Sequence, residues 1–428
     1  MYQPRISIVQ ATSSPFSRNA ALALSEADLL HEVITTIAYD PKGSIPKHLN
    51  FLPKRIRNRL HQELGRRTWT VPKRGIIRTH IGQEVVRLAL VQTGLYRYLG
   101  LSRRGLVDWV YTSLDRHAAK HHLQNIDAVY AYEDEAATTF QAAKQQGILC
   151  LYDLAIIFYH LSRDIQIQEA ERFPDLAPAL IAAKEPAWKI ERKEQEVQLA
   201  DHIFVASSIT RKSLLGVGVN PKKISIIPYG APIDYFQPQP KADKNFRALF
   251  VGRVSPRKGV HYLLQAWQEL QLPDAELLFV GSNLFPDGWL DQYQDLFSHI
   301  PSVPHVSLNK YYSSGSVLVF PSLVEGFGLV LLEAMACGIP VITTPNTAGP
   351  DILTDGIEGF IVPIRDVEAL KEKLEWCYRH PQELAEMGQA ARRKAEQLTW
   401  DLYRQKLSSR VREIVEHQRS QSVELLYS

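Results

Sequence analysis

The 428-residue chain has few cysteines, no long apolar run and almost no net charge. Its three cysteines, Cys150, Cys337 and Cys377, are odd in number and show no CxxC spacing, which argues against a disulfide framework or a structural zinc site. No window reaches the roughly 18 apolar residues that a membrane-spanning helix needs, and residues 1–11 lack the basic start and apolar stretch of a secretory signal. We therefore expect a protein of a reducing compartment, on the cytosolic side of the membrane.

The small net charge of +3 conceals a strong local imbalance. From Lys42 to Arg104 there are 15 lysines and arginines against two acids, Glu63 and Glu84, so this segment carries +13 and the rest of the chain −10. Such a block indicates an anionic partner, which on this evidence is a phosphate-bearing lipid, a polyanionic glycan or a nucleic acid.

Short apolar strands alternate with helices along the chain, which predicts parallel sheets covered on both faces. The pattern begins with RISIVQA at 5–11, is interrupted by a proline-rich stretch at 228–246, and begins again with RALFVG at 247–252. The sequence therefore predicts an α/β protein of two doubly wound, Rossmann-like domains. We place the first at 1–230 with a basic insertion at about 42–105, a linker at 231–246, the second domain at 247–400 and a closing helix at 401–428. Whether that helix packs back on the first domain stays open.

The segment after the predicted strand VLVF, at 317–320, has the features of an anion site. Gly326 and Gly328 leave room for a ligand at the free N–H groups of the following helix, which suits a diphosphate. Glu333 lies in that helix among apolar neighbours, where an ionised carboxylate needs donors. A ribose diol would supply them, and so would an internal Lys or Arg. Glu325, at the mouth of the site, favours the ligand.

The loop after RALFVG carries two further cations, Arg253 and Lys258. Fixed cations beside a helix start can neutralise a departing pyrophosphate without a metal. The alternative is a pair of solvated loop residues.

Three stretches together resemble a known family: GRVSPRKGVHYLLQAW, PSLVEGFGLVLLEAMACGIPVITT and TDGIEGFIVP, in that order. They are similar to the donor domain of the retaining GT-B glycosyltransferases of family four, the glycosyl transferases group 1. The resemblance implies a GT-B fold, with two Rossmann-like domains facing a cleft, and a nucleotide-sugar donor held by the second domain. It also implies retention of the anomeric configuration, no tightly bound metal and no cofactor besides the nucleotide sugar.

The resemblance also implies a role for each matching residue. Glu333 would hold the ribose hydroxyls, and Glu325 with the backbone of Phe327 and Gly328 would hold the sugar. Arg253 and Lys258 would hold the diphosphate. The catalytic set would thus be Glu325, Arg253 and Lys258, and the donor-binding set would be Gly252, Arg253, Lys258, Glu325, Gly326, Phe327, Gly328 and Glu333.

The first domain departs from the family pattern at its ligand-facing loops. Residues 12–16 (TSSPF) lack the glycines usual there, and the late glycine-rich loop ends in Asp351 rather than a glutamate. Glu133 and Asp153 follow predicted strands on the side of the cleft and are acceptor candidates. Helix caps or surface acids are the alternative for both.

Two other signals are weighed on the first domain. His117 and His121 share a helical face, but the motif lacks an HExxH acid and has Arg116 and Lys120 beside it, so no metal site is expected.

In the basic segment, Leu49, Leu52, Ile56 and Leu60 share a face opposite Lys54, Arg55, Arg59 and Arg66. This pattern suits either an anionic membrane surface or a helix packed on the first domain. No nucleic-acid reader motif is present.

We therefore expect a retaining, metal-independent glycosyltransferase of the hexosyltransferase type. It would move a sugar from a nucleoside-diphosphate sugar to a glycan or a lipid-linked acceptor in cell-envelope or polysaccharide biosynthesis. It would act in the cytoplasm or peripherally on the inner face of the membrane. The alternative is a catalytically silent GT-B scaffold that binds a glycan or a nucleotide sugar.

Overall fold

The computed structural model describes residues 3–40, 57, 63–65, 67–69 and 76–427, with only the backbone at 183 and 421–427. The strands are β1 Ile6–Val9, β2 Leu30–Thr35, β3 Ile76–Thr79, β4 Ala128–Tyr132, β5 Leu149–Leu154, β6 His202–Val205, β7 Ile224–Ile226, β8 Phe246–Val251, β9 Ala275–Val280, β10 Ser298–Ile300, β11 Val317–Phe320, β12 Val341–Thr343 and β13 Gly359–Ile361. The α-helices are α1 Pro15–Glu26, α2 Gly82–Thr93, α3 Leu95–Tyr98, α4 Arg103–His121, α5 Ala137–Gln145, α6 Tyr159–Arg172, α7 Ala187–Leu199, α8 Ser208–Leu215, α9 Val260–Leu270, α10 Leu308–Ser314, α11 Leu329–Ala336, α12 Gly349–Ile352, α13 Val367–Arg379, α14 Pro381–Gln397 and α15 Trp400–Tyr427. Short 3₁₀ helices span Pro174–Ala179, Ile181–Lys184, Pro221–Lys223, Pro256–Lys258, Trp289–Tyr293 and His305–Ser307.

The strands form two parallel sheets. The first has the order β3-β2-β1-β4-β5-β6-β7 and the second the order β10-β9-β8-β11-β12-β13. The central strands are buried along their length, as expected for sheets covered by helices on both faces. The predicted α/β fold of two doubly wound sheets is confirmed.

Each sheet reverses its winding at one point, and this positions the loops of interest. In the first sheet the order reverses between β1 and β4, and in the second between β8 and β11. Ligands of doubly wound sheets bind outside the carboxyl ends of the strands at such switch points. The loops after β8 and β11 are those in which the sequence places the donor residues.

The basic segment supplies part of the first sheet, which corrects its description as an insertion. Strand β3 pairs in parallel with β2, Ile77 opposite Val33, at the edge of the sheet. The sequence pattern missed β3 and also β10, an edge strand of the second sheet. The helix predicted over Leu49, Leu52, Ile56 and Leu60 lies outside the described residues, as do Lys54, Arg55, Arg59 and Arg66.

The closing helix α15 packs along α1 of the first sheet. Arg404 forms an ion pair with Glu26 and donates to Asn19 Oδ1 at 3.0 Å, and Arg412 donates to the Ala27 carbonyl at 2.8 Å. The chain therefore returns to its first domain after completing the second. Within the part of the chain that the structure describes, no helix is long and apolar enough to cross a membrane.

Candidate donor site

Two loops meet at the switch point of the second sheet. Residues 252–259 follow β8 and residues 321–328 follow β11, and these strands are neighbours. Gly259 lies so close to the second loop that an added Cβ would stand 2.0 Å from the Pro321 carbonyl oxygen. Its φ of +68° also favours glycine, because L residues with a side chain rarely adopt it. Gly259 therefore allows the two loops to touch.

Arg257 holds the same two loops together by hydrogen bonds. Its guanidinium donates to the Val324 carbonyl at 2.6 Å, while the Leu323 amide donates to the Arg257 carbonyl at 3.1 Å. Burial, with the charge of Arg253 nearby, lowers the pKa of Arg257 to about 10. Arg257 could not be singled out from the sequence, because three cations in one loop give no sign of which one faces inward.

Lys258 and Glu325 form an ion pair between these loops. Lys258 is buried, with its ammonium 4.6 Å from the centre of the Phe320 ring. Burial, together with Arg257 and Arg253, lowers the pKa of Lys258 well below its ordinary value. The charged form thus depends on an adjacent anion, which Glu325 supplies here and a phosphate group would supply in a complex.

Arg253 is the exposed cation of the site. It makes no hydrogen bond or ion pair with the rest of the described chain. It follows Gly252, whose φ of +135° turns the chain directly after β8. Arg253 is thus free to bind an anion in the cleft, and Lys258 lies five residues further along the same loop.

Glu333, on α11, is buried and has two internal donors. His305 Nε2 lies 2.8 Å from Oε1, and the Tyr312 hydroxyl donates to Oε2 at 2.7 Å. The internal partner that the sequence analysis considered is thus a histidine and a tyrosine rather than a lysine or arginine. A carboxylate can accept about four hydrogen bonds, so capacity for a diol remains. The Glu333 hydrogen bond raises the pKa of His305, while Arg18 of α1 has the opposite effect.

Gly328 and Phe327 shape the start of α11. Gly328 has φ +89° and caps the helix: its carbonyl accepts from the Leu331 amide at 2.9 Å, which leaves the first two N–H groups of the helix without an intrahelical acceptor. The Phe327 ring is buried 5.0 Å from the ring of Tyr229, a residue of the segment between the sheets. The backbone of both residues therefore lies where an anion could meet the helix.

Gly326 makes a contact between the two domains, a role that its sequence did not suggest. An added Cβ would lie 2.1 Å from the Ala155 carbonyl oxygen, which follows β5 of the first sheet. The Gly326 carbonyl accepts hydrogen bonds from Ser207 and Thr210 of the first domain, that from Thr210 at 3.2 Å. The glycine is thus required by domain packing, whatever ligand contact it also makes.

The two acceptor candidates differ in their surroundings. Glu133 lies 3.5 Å from Lys193. Burial raises the pKa of Glu133 to about 7, although the charge of Lys193 acts to lower it. Asp153 is 3% exposed and accepts from the Tyr130 hydroxyl at 2.6 Å, and burial raises its pKa to about 7. Asp153 borders a void of about 10 Å³ beneath Tyr229 and Tyr403. An acceptor cannot reach its carboxyl unless these tyrosines move.

The other residues considered from the sequence, Asp351, His117 and His121, make contacts within the protein. The carboxylate of Asp351 accepts from the Ser208 amide at 2.9 and 3.1 Å, which links the second domain to the start of α8. His117 and His121 lie with ring centres 5.0 Å apart. Among the described residues no group of three or more His, Cys, Asp or Glu is placed to hold a metal ion.

Comparisons with known proteins define the class of this site. Residues 233–394 match the family described as Glycosyl transferases group 1. That range contains the whole second sheet and both loops of the donor site. The expected resemblance to this family is confirmed for that range, and the expected GT-B fold is confirmed by the two sheets together with the solved structure described below.

Particular relatives extend the match. The chain is 29% identical over 238 residues to a D-inositol 3-phosphate glycosyltransferase of Segniliparus rotundus, covering 51% of this chain and 53% of the relative. It is also 29% identical over 226 residues to the capsular polysaccharide biosynthesis glycosyltransferase CapM of Staphylococcus aureus, covering 47% and 59%. The chain thus spans little more than half the length of these curated relatives.

A solved structure has the same fold over nearly the whole chain. HepE of Anabaena in complex with UDP-glucose superposes with a TM-score of 0.61 at 16% identity, covering 96% of this chain and 99% of that one. At this identity the likeness concerns the fold.

Proposed function

We propose that the protein transfers a hexose from a nucleoside-diphosphate sugar to a glycan or lipid-linked acceptor, with retention of configuration and without a tightly bound metal. The observation that carries the proposal is the meeting of Lys258, Glu325 and Arg253 at the switch point of the second sheet. Glu333 lies one helix turn further into the same domain, in position for a ribose. CapM by name acts in capsular polysaccharide biosynthesis, which supports a role in cell-envelope or polysaccharide assembly.

The chemistry follows from the charges of the site. As the bond between sugar and diphosphate breaks, negative charge grows on the leaving phosphate, and Lys258 and Arg253 neutralise it. The N-terminus of α11 adds its partial positive charge. Glu325 then exchanges its ion pair with Lys258 for contacts to the sugar hydroxyls. The departing phosphate oxygen accepts the proton of the acceptor hydroxyl, so the protein needs no separate base.

The acceptor is proposed to enter from the first domain, at the switch point between β1 and β4. Glu133 and Asp134 follow β4 there, and the Glu135 carboxylate accepts from the Ala11 amide at 2.6 Å across that point. We assign Glu133 to the acceptor in preference to Asp153, because the Asp153 carboxyl is covered.

We also propose that the protein binds an anionic membrane surface through residues that follow β3. Exposed apolar side chains lie on α2, α3 and the turn after them, with two exposed arginines nearby, and Tyr98 is 89% exposed. The apolar set is Val85, Val86, Leu95, Tyr98, Leu99 and Leu101, and the exposed cations are Arg97 and Arg103. Aromatic and aliphatic groups can enter the interface while the arginines meet anionic headgroups.

The membrane surface is tested by co-sedimentation with vesicles of phosphatidylglycerol and of phosphatidylcholine. The protein should sediment with the anionic vesicles alone, and a variant with Tyr98→Ser, Leu99→Ser and Arg97→Gln should sediment less. Equal co-sedimentation of this variant would refute the surface.

The function is tested by incubating the protein with UDP-, GDP- and ADP-sugars in EDTA and following thermal shift and slow donor hydrolysis. One donor should stabilise and be hydrolysed by the wild type, while Glu325→Ala should lose hydrolysis. UDP-glucose is tried first, because HepE was solved with it. Binding without turnover by any donor would favour the silent scaffold, and no binding at all would refute the donor site.

A further inference from the structure

Two exposed tryptophans flank a pocket on the first domain, away from the donor loops. Trp109 of α4 is 39% exposed and Trp188 of α7 is 47% exposed, whereas the other five tryptophans are buried or half-buried. Neither indole makes a hydrogen bond or a ring contact with any described residue. Large aromatic surface left in water commonly marks a binding site. The pocket has a volume of about 440 Å³, within the range of small-molecule sites.

Polar groups held by ion pairs complete the lining of the pocket. Arg192 donates to the Asp134 carbonyl at 3.1 Å and forms an ion pair with Asp115. Asp108 is fixed by Lys189, whose ammonium lies 2.6 Å from Asp108 and 2.7 Å from Asp134. The exposed Arg116 lies at the rim. The pocket thus combines aromatic faces with rigidly placed donors and acceptors.

The same ion pairs place the pocket beside the proposed acceptor entrance. Asp134 follows β4 at the switch point of the first sheet, next to Glu133. Lys189 links Asp134 directly to Asp108 in the pocket wall. A chain of sugar residues with one end at Glu133 would therefore pass this pocket.

We propose that the pocket binds a sugar ring of the acceptor glycan, at a position removed from the hydroxyl that is glycosylated. The inference rests on the proposed function and deepens it, because it names a glycan chain as the acceptor. A sugar ring has an apolar C–H face that packs on an indole and a rim of hydroxyls that bind carboxylate and guanidinium groups. A lipid chain would place its apolar surface against the charged groups of Asp108 and Arg192 and would use none of their remaining hydrogen-bonding capacity.

The test measures binding of defined sugars to the intact protein by calorimetry and tryptophan fluorescence. The probes are methyl glycosides of glucose, galactose, mannose and rhamnose, with the corresponding di-, tri- and tetrasaccharides. At least one oligosaccharide should bind more tightly than its methyl glycoside and alter the tryptophan emission. Trp109→Ala and Trp188→Ala should each weaken its binding about tenfold, whereas the Phe variants should retain most of it. Ile357→Ala, which removes an exposed side chain of the other domain, should have no effect.

Donor hydrolysis without acceptor separates this inference from the proposed function. It should proceed at the wild-type rate in both tryptophan variants, because neither residue contacts the donor loops. Failure of the wild type to hydrolyse any donor would refute the function while the sugar-binding data still test the pocket. If no probe binds, or if the Ala variants bind as the wild type does, the pocket is not a sugar site.

Discussion

Lys258 and Glu325 form an ion pair although they belong to loops that follow different strands of the second sheet. The pair joins the loop after β8 to the loop after β11, and contacts of Arg257 and Gly259 hold the same two loops together. Because Lys258 is buried, its charge persists only beside an anion. The site is thus built to accept a second anion when the Glu325 carboxylate turns to another partner.

Removal of either cation should slow the reaction. Lys258→Ala and Arg253→Ala should each lower turnover by about 10²–10³, because each stabilises charge on the leaving phosphate. Steady-state kinetics of donor hydrolysis measures the loss. Arg393→Ala, which removes an exposed cation elsewhere on the second domain, is the control. Full activity of either site variant would show that the replaced residue does not stabilise the leaving phosphate.

Glu333 should govern nucleoside affinity rather than diphosphate affinity. Glu333→Ala should weaken binding of both uridine and UDP by about tenfold or more, since it removes charged hydrogen bonds to the ribose. Tyr312→Phe should have a smaller effect, because Tyr312 only positions the carboxylate. Calorimetric titration distinguishes the two, and unchanged uridine binding by Glu333→Ala would contradict the ribose assignment.

Glu169 of α6 should hold the two domains together. Its carboxylate is fully buried and accepts hydrogen bonds from His261 and Tyr262, both at 2.7 Å, and from Arg365 at 2.8 Å. All three donors belong to the second domain. Burial alone would raise the pKa of Glu169, but these hydrogen bonds outweigh it and the pKa is lowered.

The consequence is a defined pH dependence. A carboxylate with a lowered pKa stabilises the fold above its unfolded pKa, and this contribution is lost as the pH falls through the folded value. Glu169→Gln should therefore lower the Tm at pH 7, and the difference from the wild type should shrink below pH of about 4.5. Asp164→Asn, on the exposed face of the same helix, should not change the Tm. A pH-independent difference would show that charge is not the cause.

Asp153 should show the opposite dependence. Its pKa is raised from 3.8 to about 7 by burial, so ionisation destabilises the fold increasingly from pH 4 to 7. Asp153→Asn should therefore stabilise the fold relative to the wild type, and the difference in Tm should grow as the pH rises from 4 to 7. Tyr130→Phe, which removes the hydrogen bond that favours the ionised carboxyl, should lower the Tm more above pH of about 7 than at pH of about 4. If Asp153→Asn abolishes transfer with its fold intact, Asp153 contacts the acceptor after all.

The proximity of Glu325 to Lys258 could be anticipated from sequence, since carboxyl ends of neighbouring parallel strands share an edge. The donors to Glu333 could not, because His305 and Tyr312 follow a long segment after β9 whose sequence shows no periodic apolar pattern. The surroundings of Gly326 and Asp153 could not be predicted either, for a common reason. Gly326 packs on Ala155 of the other domain, and Asp153 is covered by Tyr229 and Tyr403, all distant along the chain. The pattern of neighbouring residues in the sequence gives no information on contacts between residues so far apart along the chain.

Two of the four edge strands, β3 and β10, were also missed. In β3 (IIRT) three of the four residues are exposed, and β10 (SHI) has only one half-buried residue, so neither shows the continuous apolar run by which the buried strands were found.

The most direct test of the donor site is a crystal structure of the protein with UDP. The diphosphate is expected within hydrogen-bond distance of Lys258 and Arg253 at the start of α11, with the ribose hydroxyls on Glu333. UDP bound away from these residues would contradict the assignment of the second domain's switch point as the place of catalysis.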